Sequence, residues 1–122
     1  EFYQNKLDYE MDPSDLLSAL EKGENVVPLD SRKPDSFNKE HIPGAINIPH
    51  REMDENSTKH LDKSKIYVCY CSGIGCNAST RGALNMTKLG FKVKELIGGI
   101  EWWNSEGYAT EGTRKSKDVI IL

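Results

Sequence analysis

The chain has no apolar run near the roughly 20 residues that a membrane-spanning helix requires, and no signal-peptide pattern opens it. Basic residues never gather into a tract: 16 Lys and Arg stand against 19 Asp and Glu, a net charge of -3. That balance removes the electrostatic basis for holding nucleic acid. Histidine is scarce, and no Cys-x-x-Cys pair is present, so a zinc site built on Cys69, Cys71 and Cys76 has no convincing fourth ligand. Three cysteines are too few and the wrong parity for a disulfide-stapled secreted domain; the expected setting is reducing and cytoplasmic. No internal repeat or low-complexity segment appears. The 122 residues suffice for a single domain spanning 1–122, with its core at about 5–108 and a tail, 109–122, that is charged in the middle and apolar at Val119–Leu122.

What is present reads as short strands alternating with helices. Leu7 and Tyr9 alternate with polar neighbours over residues 5–10, the pattern of a half-buried strand. Asp12-Pro13-Ser14-Asp15 predicts a helix start, with Asp12 as N-cap and Pro13 at the first helical position; Gly23 marks its end. Val26–Leu29 is a strand whose Pro28 removes one ladder donor and suggests an irregularity. Ala45–Ile48 is another short strand, residues 50–65 a polar surface segment, and Ile66–Tyr70 the most buried-looking strand. A helix over Asn77–Leu89 starts with small residues that permit close packing and stops at Gly90. Phe91–Leu96 is a further strand, and Gly98-Gly99 turns into a short helix carrying Trp102 and Trp103. Such alternation predicts an α/β fold with a mainly parallel sheet. Ligands then bind beyond the carboxyl ends of the strands, where Asp30 and Cys71 both fall.

Cys71 is the most informative residue. It ends the strand Ile66–Tyr70, precedes the Gly-bearing turn Ser72-Gly73-Ile74-Gly75, and leads through Cys76 and Asn77 into a helix. Backbone N–H groups of such a turn, together with the helix dipole, favour an anion and predict a low-pKa nucleophilic thiolate at Cys71. Cys69, two residues earlier in the strand, reads as a small core hydrophobe. Cys76, near the helix start, reads either as a resolving or relay thiol or as a small residue at a helix end.

At these residues the chain resembles the single-domain rhodanese-like sulfurtransferase family. Val26–Arg32, Phe37 and His41-Ile42-Pro43-Gly44-Ala45-Ile46-Asn47-Ile48-Pro49 are similar to the family's first signature. Tyr70-Cys71 through Gly90-Phe91 resembles its active-site strand–loop–helix, and Gly98–Trp103 with Gly107-Tyr108 its C-terminal signature. The resemblance implies a doubly wound α/β domain with about five parallel strands, transfer of a sulfane sulfur through a cysteine persulfide, and Cys71 as the nucleophile. It implies a small donor such as thiosulfate or a persulfide, a thiol or cyanide acceptor, and no cofactor. By family analogy Trp103 packs in the core. Three departures stand out: the spacing from Cys71 to Gly90 is about two residues longer than the common pattern, the loop carries no basic residue, and Glu40 replaces the usual Gly before His41.

The active-site loop and anion cradle are therefore expected at Ser72, Gly73, Ile74, Gly75, Cys76 and Asn77, with possible support from Asp30, Arg32 and Arg81. Asp30 is expected to anchor loop N–H groups and Arg32 to pair with a carboxylate; His41 opens a turn and reads as structural. A loop this poor in cations should hold a dianionic donor weakly. An arsenate-reductase or phosphatase on the same fold is the rival enzyme. It needs an Arg six residues after the cysteine to clamp a tetrahedral dianion; that position is Asn77 counted from Cys71 and Gly82 counted from Cys76. A non-catalytic interaction module is the other alternative, since fold does not fix function.

Overall fold

The computed structural model describes residues 1–113; the apolar end Val119–Leu122 lies outside the described residues. Five parallel strands form one sheet in the order β1-β5-β4-β2-β3, with β1 Glu10–Met11, β2 Val26–Asp30, β3 Ile46–Asn47, β4 Ile66–Tyr70 and β5 Lys92–Leu96. The helices are α1 Phe2–Tyr9, α2 Pro13–Glu21, α3 Pro34–Lys39, α4 Glu55–Thr58, α5 Ala78–Lys88 and α6 Gly99–Ser105, with a 3-10 turn at His50–Glu52. Among the described residues no helix is long and apolar enough to cross a membrane.

β4 is central and buried on both faces, which explains why its sequence reads as a continuous apolar run. Val68 and Tyr70 enter one core with Leu16, Leu96, Ile100 and Trp103. Tyr67 and Cys69 enter the other with Leu29, Met86 and Phe91. The period of two along the strand thus builds two cores from one element. Burial pushes the Cys69 thiol up to about 12, in keeping with a core hydrophobe.

Two sequence expectations are corrected. Residues 5–10 are not a strand: α1 runs to Tyr9, and only Glu10–Met11 reaches the sheet, pairing with β5. Leu7 and Tyr9 are exposed, so their alternation marks no buried face. Pairs four residues apart hold the helix instead, Gln4 donating to Asp8 at 2.9 Å and Lys6 to Glu10 at 2.9 Å. Pro28 causes no irregularity in the β2–β4 register, which is continuous from Val26↔Ile66 to Asp30↔Tyr70. Ser31 N–H bonds back to Tyr70, whereas Ile48 N–H bonds to Asp30. Odd residues of β2 therefore face β4 and even ones face β3. The missing donor of Pro28 points toward β3, whose pairing begins only at Leu29↔Ile46.

The helix signals hold more directly. Asp12 caps α2 by accepting the Asp15 N–H at 2.9 Å. The chain leaves α5 through Leu89 and turns at Gly90 with φ +94°. Trp103 is buried and donates its indole N–H to the Ala109 carbonyl at 2.9 Å, while Trp102 stays half exposed.

From β2 the chain moves outward to β3; from β4 it moves the opposite way to β5. The switch point of the sheet therefore lies between β2 and β4, at whose carboxyl ends stand Asp30 and Cys71.

Candidate active site

Each strand end presents a turn held by buried polar bonds. Asp30 is fully buried and accepts the Arg32 backbone N–H at 2.9 Å. Its carboxylate also takes the Arg32 guanidinium in a two-pronged pair, with Nε at 2.9 Å and Nη2 at 2.7 Å. Arg32 Nη2 also donates to the Glu40 carbonyl at 2.7 Å. The Glu40 side chain in turn accepts from the Thr110 hydroxyl at 2.8 Å and from Asn104 at 3.3 Å. The family's usual Gly is thus replaced by a residue that ties the β2 edge to the chain after α6. His41 stacks on Phe37 with centroids 3.9 Å apart and hydrogen-bonds the Phe37 carbonyl through Nδ1, a structural placement away from the thiols.

The loop after β4 is gripped from the far side by α6. Ile100 N–H donates to the Cys71 carbonyl at 3.0 Å and Glu101 N–H to the Ser72 carbonyl at 2.9 Å. Gly99 makes this approach possible: at φ +59° a Cβ there would overlap the Cys71 carbonyl oxygen and lie 2.8 Å from the Ser72 carbonyl carbon. On the other side α5 comes close because Gly82 faces Ser31, whose hydroxyl would stand 2.6 Å from a Cβ. Two Gly contacts therefore set the width of the slot in which the loop lies.

Within the slot the two cysteines differ sharply. Cys71 is 1 % exposed. Its S–H has three oxygens in reach: the Cys76 carbonyl at 3.1 Å, the Ser79 hydroxyl at 3.5 Å and the Gly73 carbonyl at 3.8 Å. Burial pushes its thiol up, offset only in part by the Ser79 N–H. The expected low-pKa thiolate at Cys71, ringed by N–H groups of residues 72–77, is therefore not what this loop builds. The longer loop folds on itself, with Cys76 N–H bonded to the Gly73 carbonyl at 3.0 Å, and turns carbonyls toward Cys71. The donors converge on Cys76 instead. Burial raises its pKa, but the Ala78 N–H, the Cys71 S–H, the Ser72 N–H and the charge of Arg32 together outweigh that and hold it below the usual thiol range. The two cysteines meet through the Cys76 carbonyl oxygen, which lies 3.1 Å from the Cys71 sulfur.

Three residues that sequence reasoning missed, Ser79, Thr80 and Glu95, complete the arrangement. Ser79 donates to Glu95 Oε2 at 2.7 Å, and Thr80 donates to the same oxygen at 2.6 Å. With its own proton committed to Glu95, Ser79 offers its lone pairs to the Cys71 S–H. Glu95 sits on β5, 24 positions beyond Cys71, and only the parallel pairing Cys69↔Glu95 brings it near. No local sequence signal could have found it.

A cavity of about 560 Å³ opens beside the loop, lined by Arg32, Lys33, Arg51, Ser72, Cys76 and Ala78 among others. A second, of about 250 Å³, lies on the loop's other flank and is lined by Cys76, Ser79, Thr80 and Glu95 among others. Cys76 lines both; Cys71 lines neither. Of the predicted site residues, Asp30, Arg32, Ser72, Cys71, Cys76 and Asn77 are brought together around this slot, with Gly73 and Ile74 on the second cavity. Gly75 adjoins Cys76, with open space where a side chain would stand. Arg81 is not drawn in: its Nε donates to Asn77 at 3.3 Å and it lines a separate surface hollow with His50 and Arg51. The loop itself brings no cation, but Lys33, Arg51 and the Asp30-paired Arg32 line the larger cavity from the turns after β2 and β3, together with Glu52.

Comparison with known proteins agrees with this architecture. The Rhodanese-like domain family matches residues 12–106. The chain is 38% identical over 88 residues to a thiosulfate sulfurtransferase GlpE of Coxiella burnetii, covering 70% of this chain and 78% of that protein. Among solved structures it is similar to the BH2092 protein of Bacillus halodurans, with a TM-score of 0.91 and 43% identity over 93% of this chain and 84% of that one. A rhodanese-related protein of Thermoplasma volcanium superposes with a TM-score of 0.72 at 27% identity, covering 84% of this chain and 97% of that one. With the matched segment running from the start of α2 to the end of α6, the chain belongs to the rhodanese-like domain family.

Proposed function

We propose that this chain is a sulfurtransferase that moves a sulfane sulfur from a small donor, such as thiosulfate or a persulfide, to a thiol or cyanide through a persulfide on Cys71. The observation that carries the reading is the position of Cys71: its sulfur stands at the carboxyl end of β4, beside the switch point, against Ser79 in the first turn of α5. The likeness to a protein named thiosulfate sulfurtransferase supports it.

The chemistry divides between the residues as follows. A thiolate attacks the sulfane sulfur of the donor; the bond from that sulfur to the rest of the donor breaks, and sulfite or a thiolate leaves with the electron pair. The Cys71 proton has an exit along Ser79 to Glu95. The terminal sulfur is then taken by the acceptor, which returns the thiol. Cys71 is covered by its own loop, so sulfur reaches it only through Cys76 or by displacement of that loop.

Thiocyanate formation from thiosulfate and cyanide tests the proposal. Cys71→Ser should reduce steady-state turnover well below that of the unmodified chain while leaving the urea unfolding midpoint nearly unchanged, because the swap removes the inner nucleophile and little volume. Turnover near that of the unmodified chain would overturn it.

A further inference from the structure

We propose that Cys76 is the thiol that meets the sulfur donor and hands the sulfane sulfur inward to Cys71, so that the loop works as a two-cysteine relay; this rests on the sulfurtransferase reading above. Three observations place Cys76 in that role. It lines both cavities that flank the loop, whereas Cys71 lines neither and is 1 % exposed. The larger cavity gathers Lys33, Arg51 and the Asp30-paired Arg32 around the Cys76 side, against the single carboxylate of Glu52, a positive balance that suits an anionic donor. The Cys71 sulfur is 3.1 Å from the Cys76 carbonyl oxygen, so the two cysteines stand side by side in the folded loop.

The preference for an anion at Cys76 adds to the geometry. The N–H groups of Ser72 and Ala78 favour charge on its sulfur and lower its pKa, while burial raises that of Cys71. The order of nucleophiles follows: the outer sulfur is charged first, in the place where the donor arrives.

Both steps balance without an added redox reagent. The Cys76 thiolate attacks the sulfane sulfur of thiosulfate, the bond to the sulfonate sulfur breaks, and sulfite departs with the electron pair, leaving Cys76–S–S⁻. The Cys71 thiol then attacks the terminal sulfur. Its proton passes to that sulfur, the Cys76 S–S bond breaks, and the pair returns to Cys76, giving Cys71–S–SH and the Cys76 thiolate. The sulfane sulfur keeps its oxidation state throughout. The inward step moves the sulfur from a half-buried cysteine on the cavities to one shielded from bulk solvent and oxidant.

Time-resolved persulfide mapping by mass spectrometry tests the relay, with thiosulfate and inorganic polysulfide as probes on the full chain. The unmodified chain should end with a gain of about 32 Da, one sulfur atom, on the Cys71 peptide. Cys76→Ser and Cys76→Ala should both load Cys71 at least roughly tenfold more slowly, having lost the thiol that lines both flanking cavities. Cys71→Ser should accumulate the sulfur on Cys76 and release a single equivalent of sulfite per chain. Loading of Cys71 at an unchanged rate in either Cys76 variant would overturn the relay. So would a Cys71→Ser chain that takes up no sulfur while the unmodified chain does. Release of hydrosulfide with a Cys71–Cys76 disulfide in place of the Cys71 persulfide would overturn it too, since Cys71 would then be attacking the inner sulfur. An unmodified chain that takes sulfur from neither probe would instead defeat the sulfurtransferase reading itself.

Discussion

Two cysteines five residues apart acquire opposite properties from atoms that the sequence places far away. Burial under the loop raises Cys71, and converging N–H groups with Arg32 lower Cys76. Cys76 should therefore alkylate first with iodoacetamide, with an apparent midpoint below the ordinary thiol value of about 8.5. Cys71 should lag until the pH rises above that value; peptide mapping across pH 6–10 checks both, and the reverse order would contradict the assignment. Ser79→Ala removes the hydroxyl between Cys71 and Glu95, so turnover should fall by roughly a hundredfold, the low end of the usual range for proton-transfer groups. The loss should shrink as pH rises and hydroxide replaces the lost path, which pH profiles of kcat/KM would show. At the donor cavity, Lys33→Gln or Arg51→Gln should raise KM for thiosulfate roughly twofold to fivefold, since exposed charges contribute about 0.2–1 kcal/mol each. The effect should weaken with added salt and be smaller for a less charged persulfide donor.

At the scale of elements, the strand–loop–helix around Cys71 was legible because its signals are local: an apolar run, a Gly-bearing turn and small residues opening α5. The cap at Asp12 and the turn at Gly90 were legible for the same reason, whereas the choice of Trp103 over Trp102 for the core came from the family resemblance. What could not be read was which sulfur the turn's N–H groups would face, because that depends on how a loop two residues longer folds back between α5 and α6. The role of Gly98-Gly99 was also hidden: as a sequence it is a turn, but in three dimensions Gly99 lets α6 hold the Cys71 and Ser72 carbonyls. Helix α1 escaped because no residue of it is buried, so its apolar spacing carried no information about a core. Gly99→Ala should cost about 1–3 kcal/mol for the positive φ alone, with more from overlap with the loop backbone. Turnover should fall together with the urea midpoint; a variant as stable and active as the parent would show that α6 does not fix the loop.

Taken whole, the molecule is a five-stranded parallel sheet whose switch point between β2 and β4 sets one turn with a buried Asp–Arg pair beside one with two thiols. Buried thiols tie its stability to pH. Cys69 and Cys71 have folded-state pKa values raised above their unfolded ones, so their contribution is complete below about pH 8.5 and is lost as pH rises toward the folded values, about 12 for Cys69. Urea midpoints should therefore fall between pH 8 and pH 10, and less steeply in Cys69→Ala than in the parent. The central claim, that sulfane sulfur passes through Cys71, is tested most directly by a labelled chase. The chain is loaded with thiosulfate carrying isotopic sulfur in the sulfane position, quenched for peptide mapping, and in parallel chased with unlabelled cyanide. The account predicts label on the Cys71 peptide that moves into thiocyanate as the Cys71 adduct disappears; labelled thiocyanate formed while Cys71 never carries label would contradict it.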